Sequence, residues 1–311
     1  MATASSIPSQ ELFDQLPKHL HWEAYNIYQW EGFWYPAAVI RGMLAFRSNY
    51  KARCDDVILA SSLKTGTTWL KALCACIMDY HDDQLSSKNP HLVVKTLEYE
   101  FAGETLNPDD LSGMPSPRLF HTHLPYSALP ESIKNSESKI VYITRNPSDT
   151  MVSGWHYFNK ILRRNNQDPY PFEKEYNNFC AGVHSYGPFF DHVLRYWSES
   201  LKRPNKILFL KYEELKRDPK GQVKRLASFL GRPLAGEDEV DKVIWGSSFE
   251  RLKNLEVNKN GELPFGNVPN SAFFRLGKVG DWENYFTAEM KQGLDEITRM
   301  KLEGSGLDFE S

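Results

Sequence analysis

Four short runs punctuate the chain: Asp56 to Ala60 (DVILA), Lys139 to Thr144 (KIVYIT) and Lys206 to Tyr212 (KILFLKY), which are mainly apolar, and the more polar Arg118 to His123 (RLFHTH). Runs that are apolar on both alternating faces predict strands buried on both sides, as in a parallel sheet. Between and after them the pattern changes to that of a helix. Trp69 to about Tyr80 is an apolar helix, and Pro147-Ser148-Asp149 opens another that runs to about Arg163. Asp218 is the N-cap and Pro219 the first residue of a third, with Val223, Leu226, Ala227 and Leu230 at i, i+3, i+4 and i+7 and Gly231 as its stop. Thr287 caps a last helix carrying Met290, Leu294 and Ile297 on one stripe. Strands separated by helices predict an α/β fold, a central parallel sheet flanked by helices on both faces. The first 50 residues are aromatic-rich, and their Ser/Ala/Pro start reads as a mobile tail over 1–15, leaving a single domain over 16–311. Residues 254–272 are polar, contain Gly and Pro and have no period, which predicts a long loop of the kind that is functional or disordered.

Composition narrows the function. The 311 residues carry 37 Lys+Arg and 40 Asp+Glu, so the net charge is 37 − 40 = −3, and 41% are apolar. Such values fit a globular protein and lack the basic footprint of a nucleic-acid binder. A phosphate-bearing ligand would be small and held by a few placed groups. No apolar run approaches the ~20 residues of a membrane span, and the start lacks the basic and apolar regions of a secretory leader, so a cytoplasmic protein with no membrane partner is expected. The four cysteines are scattered, and Cys74 and Cys76 point to different faces of one helix. Buried free thiols are expected, with neither a disulfide framework nor a metal site. The acid pairs Asp55/Asp56, Asp82/Asp83 and Glu213/Glu214 read as solvated or capping charges, since adjacent residues point apart.

Candidate chemistry gathers after the first strand. Ser61 to Trp69 (SSLKTGTTW) is a strand-to-helix turn with one glycine, one lysine and five hydroxyl side chains. A helix N-terminus presents unpaired N–H groups and partial positive charge, so an anion fits there. The lysine precedes the glycine, which excludes a nucleoside triphosphatase loop, and no dinucleotide-binding glycine fingerprint is present. A phosphate or sulfate cradle and an ordinary polar turn both remain open on this evidence.

The segment KTGTTWLKAL at 64–73 resembles the 5′-phosphosulfate loop of the cytosolic sulfotransferases. THLP at 122–125, RNPSDTMVS at 145–153, LFLKYEEL at 208–215 and FFRLGKVGDWENYFT at 273–287 follow in that family's order. PFEKEYNNFCAGV at 171–183 and GPFFDHVLRYW at 187–197 are similar to its plant branch, and the resemblance covers residues from about 50 to 290. It implies transfer of a sulfuryl group from 3′-phosphoadenosine 5′-phosphosulfate (PAPS), with 3′-phosphoadenosine 5′-phosphate (PAP) as product, to a hydroxyl of a small metabolite. Flavonoids, brassinosteroids or other steroids, hydroxyjasmonates and simple phenols are the implied acceptors, without a metal, in a monomer or weak homodimer.

Residue by residue, the resemblance makes His123 the general base and Lys64 the cation on the leaving oxygen. It places Thr65, Gly66, Thr67, Thr68 and Trp69 on the 5′-phosphate and nearby adenine. Arg145, Ser153, Arg275, Leu276 and Gly277 would hold the 3′-phosphate, and Tyr212, Ser247 and Phe249 the adenine. Trp34, Tyr35, Phe101, His121, Tyr157 and Phe158 are the expected acceptor-pocket walls. Three positions depart from the pattern. Leu63 stands where proline is usual, which is expected to loosen the turn. His121 stands where many relatives have lysine, so the cation near the leaving group is expected to be either missing or pH-dependent. Leu276 replaces a lysine of the 3′-phosphate site, which predicts weaker donor binding. The alternative reading is a catalytically weak PAPS- or PAP-binding relative acting as sensor or scaffold.

Overall fold

The computed structural model describes residues 10–78, 87–103, 111–263 and 268–309. Its N-terminal part is a small antiparallel sheet of β1 (Lys18–His21), β2 (Tyr25–Trp30) and β3 (Phe33–Pro36), followed by the helix Ala37–Asn49. Residues 10–15, expected to be tail, form a helix whose Phe13 is buried against Tyr28 and beneath Arg41. The expectation for 1–9, like that for Asp82 and Asp83, lies outside the described residues.

The four runs become β4 (Val57–Ser61), β5 (Leu119–Thr122), β6 (Lys139–Thr144) and β7 (Ile207–Lys211). They pair as a parallel sheet in the order β5-β4-β6-β7, with Leu59 opposite His121 on one side and Val141 on the other. Alternation along each strand feeds two cores. Ile58, Ala60, Phe120, Tyr142 and Phe209 pack on one side with the helices Ala37–Asn49, Pro147–Arg164 and Phe189–Lys202. Leu59, Val141, Ile143 and Leu210 pack on the other with the helices Thr67–Ile77, Pro219–Phe229 and Glu237–Gly246.

The caps fall where the side chains allow. Asn146 accepts from the Ser148 and Asp149 amides, Asp218 from Gly221 and Thr287 from Met290. Two carboxylates expected at the surface are inside. Asp56 is bound by both sides of the Arg118 guanidinium at 2.5 and 2.7 Å and by the Tyr50 hydroxyl at 2.8 Å. Glu213 accepts from the Asn146 amide and tethers the start of the long helix to β7. The thiols also divide: Cys74 is buried but Cys54 is exposed.

Of the expected loop over 254–272, the described residues are structured. It holds a turn of helix (Glu256–Asn260), the ribbon β8 (Glu262–Leu263) with β9 (Val268–Pro269), and a 3₁₀ turn at Asn270–Phe273. Its polar residues are internal ties: Asn258 donates to the Leu252 carbonyl and accepts from Asn89, and Asn270 donates to the Val257 carbonyl.

Candidate active site

In a parallel sheet every strand ends at the same edge, and a crevice opens there where the strand order reverses. Here that edge carries the turn after β4, His123 after β5, Arg145 after β6 and Tyr212 after β7. All face one cavity of about 1080 Å³, larger than most single-ligand sites.

The turn is set by backbone conformation and one hydroxyl. Gly66 has φ +110°, and a Cβ there would stand 2.8 Å from the Tyr212 ring. The Thr65 hydroxyl contacts the Ser62 and Ile143 carbonyls at 3.0 and 3.1 Å, so this side chain braces the turn from inside and is not part of the cavity wall. With that brace, and with Leu63 packed on the core, the missing proline does not leave the turn unsupported. The helix begins at Thr67, two residues before Trp69.

Lys64 occupies the left-handed region at φ +66°, a conformation that concentrates at functional sites. Its Nζ lies 4.0 Å above the Tyr157 ring and 5.6 Å from that of Phe273, a cation held between aromatic faces. Burial, then the Arg145 and Arg275 guanidinium groups, push its pKa down to about 7.

Arg145 lies over Tyr212 at 4.6 Å, donates to the Lys278 carbonyl and pairs with Asp149 at 3.1 Å. Its Nε is buried without a partner, a polar atom left for a ligand to satisfy. Asp149 also accepts from the Gly280 and Trp282 amides, which docks the C-terminal segment against the long helix. That segment brings Arg275, paired with Asp281, together with Leu276 and Gly277 to the cavity, opposite Ser153. Gly277 has φ +63°, and a Cβ there would meet the Phe249 ring at 2.7 Å. Trp69 meets Tyr212 edge-on at 5.5 Å, and Ser247, its hydroxyl donated to the Val243 carbonyl, lies beside Phe249 in the same wall.

His123 stands between this polar end and an aromatic one. Its Nδ1 is 2.9 Å from the Ser61 carbonyl, which can only accept, so Nδ1 carries the proton and Nε2 the lone pair. Glu98 accepts from its amide, and the His192 ring donates to its carbonyl. Burial pushes its pKa down to about 3, so the imidazole is neutral at ordinary pH.

The aromatic end differs from expectation. Tyr157 and Phe158 line it, but Trp34, Tyr35 and Phe101 do not. Tyr35 is buried edge-on against Tyr186, and Phe101 fills a gap between Phe46 and Tyr50. Tyr25, Tyr99 and Tyr186 take their places on the wall. His121 is also no wall residue. It is fully buried behind His123, with ring centroids 4.4 Å apart, and burial holds its pKa well below the usual imidazole value. Of the two expectations for this position, the pH-dependent cation gives way to the missing one: His121 is a neutral internal ring. His91, which no motif singled out, does line the cavity and stacks on Phe273 at 4.2 Å. The Asn89-Pro90 helix start just before it was its only local signal.

A turn carrying a lysine beside a neutral histidine, at the carboxyl edge of a parallel sheet, has the groups that an α/β enzyme of the group-transfer type needs. The sulfotransferase domain model matches residues 54–306, and the chain belongs to that family. Cytosolic sulfotransferase 5 of Arabidopsis thaliana is 43% identical over 97% of this chain and 96% of its own. A flavonol sulfotransferase-like protein of Flaveria bidentis is 41% identical over 96% and 99%. A mouse sulfotransferase solved in complex with PAP superposes with a TM-score of 0.72 at 29% identity, covering 90% of this chain and 95% of its own. Among the described residues no cluster of side chains could hold a metal ion, and no helix is long and apolar enough to cross a membrane.

Proposed function

We propose that this enzyme moves a sulfuryl group from PAPS to a hydroxyl of a small, flat or apolar metabolite in the cytoplasm, with His123 as general base and Lys64 stabilising the leaving group. One observation carries the reading: a histidine with Nδ1 tied to a main-chain carbonyl shares a cavity with a lysine poised on the phosphate turn. The residues fit the donor. The orphaned Nε of Arg145 and the Arg275 guanidinium offer planar forks to a 3′-phosphate, with Ser153 and the Gly277 backbone beside them. Trp69, Tyr212, Phe249 and Ser247 form a slot for the adenine. The backbone of Lys64 to Thr68 and the Thr67 and Thr68 hydroxyls face the 5′-phosphate.

His123 receives the acceptor's proton on Nε2 while Nδ1–H stays on the Ser61 carbonyl, so the ring keeps its orientation as it becomes charged. Its low basicity restricts it to taking the proton as the new S–O bond forms, when the acceptor oxygen has become acidic. Lys64 faces the oxygen on which negative charge grows as the bond to sulfur breaks, and donates there. The tyrosine-lined end, bounded by Tyr25, Tyr99, Tyr157 and Tyr186, suits flavonoids, steroids, hydroxyjasmonates and simple phenols.

Calorimetric titration with PAP, with ATP as comparator, tests the donor site, and turnover of PAPS with a panel of those acceptors tests the reaction. Measurable PAP binding with ATP much weaker supports the reading. No preference for PAP overturns it, and PAP binding without turnover leaves only a ligand-binding relative.

A further inference from the structure

The helix that begins at Thr67 contains a completely buried lysine, Lys71, for which the reaction above has no use. Burying an ammonium group is costly unless its environment requires it. Its Nζ donates to Thr96 Oγ1 at 2.9 Å and lies 3.3 Å from His91 Nδ1; neither partner is a carboxylate. Burial pushes its pKa down to about 7, against the pull of Glu98 and Glu100.

Two hydrogen-bonded chains leave this nitrogen. One passes through His91, whose Nε2 is 2.9 Å from Thr68 Oγ1. The other passes from Thr96 Oγ1 to His121 Nδ1 at 3.2 Å, from His121 Nε2 to Ser61 Oγ at 3.0 Å, and from Ser61 Oγ to Thr67 Oγ1 at 2.7 Å. They end on adjacent hydroxyls, and both hydroxyls line the cavity.

The protons can be placed for the charged form of Lys71, whose ammonium group only donates. His91 Nδ1 accepts from Lys71, and burial keeps that ring neutral, so its proton sits on Nε2 and is donated to Thr68. The Thr68 proton is then left for the cavity. Along the other chain Thr96 accepts from Lys71 and gives its own proton to His121 Nδ1. Neutral His121 therefore donates from Nε2 to Ser61, and Ser61 donates to Thr67. The reverse direction would leave the Thr96 proton without an acceptor among its recorded partners. The Thr67 proton is thus also left for the cavity.

We propose that Lys71 is a positioning residue that polarises both chains outward, so that Thr67 and Thr68 present their O–H groups, and not their lone pairs, to the 5′-phosphate of the donor. A free threonine hydroxyl rotates between donor and acceptor roles; facing an anion, only the donor role helps. Fixing it beforehand removes reorganisation when the phosphate arrives. The inference rests on the donor-site reading above.

The test compares wild-type protein with Lys71→Met and Thr96→Val by calorimetry with PAP and, by displacement of PAP, with adenosine 3′-phosphate, which lacks the 5′-phosphate. Lys71→Met weakens PAP by about tenfold or more, and Thr96→Val, which cuts only the Thr67 chain at nearly constant shape, by about fivefold. Adenosine 3′-phosphate affinity stays within twofold of wild type in both. Equal losses for the two ligands would make Lys71 merely structural, and unchanged PAP affinity would remove the role; either overturns the proposal. Should Lys71→Met fail to fold, Thr96→Val decides on the same two ligands. Wild-type protein that does not prefer PAP over ATP overturns the donor-site reading itself, a different result from normal wild-type binding with insensitive variants.

Discussion

The lowered basicity of Lys64 predicts a donor affinity that depends steeply on pH. The ordinary lysine value of 10.5 is pushed to about 7 by burial between Tyr157 and Phe273 and by Arg145 and Arg275 on the same cavity. A phosphate beside it favours the charged form, so the pKa rises on binding and only the protonated fraction of free protein is competent. That fraction falls from about one half at pH 7 to about 1% at pH 9, so apparent PAP affinity drops about 50-fold. An ordinary lysine would lose only about 3% of its charge over the same interval. The phosphate itself adds little, since its second ionisation lies near 6 and is nearly complete by pH 7. The assay is calorimetry of PAP binding from pH 6 to 9 in buffers of different ionisation enthalpy, with Lys64→Arg alongside, because arginine keeps its charge throughout. Wild type should show a slope near −1 above pH 7 with net proton uptake, and Lys64→Arg a flat profile. A flat wild-type profile refutes the reasoning. The same slope in Lys64→Arg moves the titration to another group, Lys71 first.

Other outcomes follow from single contacts. His123→Ala should lower turnover by about 10²–10⁴ while PAP affinity stays within threefold; comparable turnover would remove His123 as the base. Asp56→Asn leaves the Arg118 guanidinium buried with half its pairing lost and should cost about 3–5 kcal/mol in denaturant unfolding, whereas a loss below ~1 kcal/mol would mean the pair contributes little. Gly277→Ala puts a Cβ against the Phe249 ring on backbone at φ +63°, so PAP binding should weaken about tenfold and the unfolding midpoint should fall with it, and an unaffected affinity would detach Phe249 from the donor slot.

Much of this was legible because the signals were local. β4, β6 and β7 are apolar on both faces, and a strand buried on both faces has no other pattern. Asn146, Asp218 and Thr287 cap helices through their own side chains, within three residues of sequence. Arg145, Ser153, Tyr212 and Gly277 reach the cavity because the ends of parallel strands, and the segment that docks on them, meet at one edge. What stayed hidden depends on distant partners. Asn258 and Asn270 look like loop residues, and only the folded chain shows their amides bonding buried carbonyls. Asp56 cannot be told from a solvated carboxylate until Arg118 arrives from beside another strand. Trp34, Tyr35 and Phe101 are as aromatic as Tyr25, Tyr99 and Tyr186, and nothing local decides which trio faces the cavity. Lys71 has the helix spacing of an ordinary outward lysine, and its burial comes from the segment around His91 and Thr96 that covers it.

The carboxylate of Asp149 joins parts of the molecule made at different times. The parallel sheet is complete once β7 has been synthesised, but Gly280 and Trp282, which dock on Asp149, come near the end of the chain. A nascent chain can therefore assemble its sheet, the turn after β4 and His123 well before the segment carrying Arg275 and Gly277 exists. An anion gripped by both Arg145 and Arg275 would act as a clasp between an earlier-made and a later-made part of the polypeptide. At a hundredfold excess over its dissociation constant it would add about 2.7 kcal/mol to holding them together. Protection from proteolysis on adding PAP should then be greatest across residues 268–284 and least within β4 to β7, making ligand occupancy a report on whether that segment has docked.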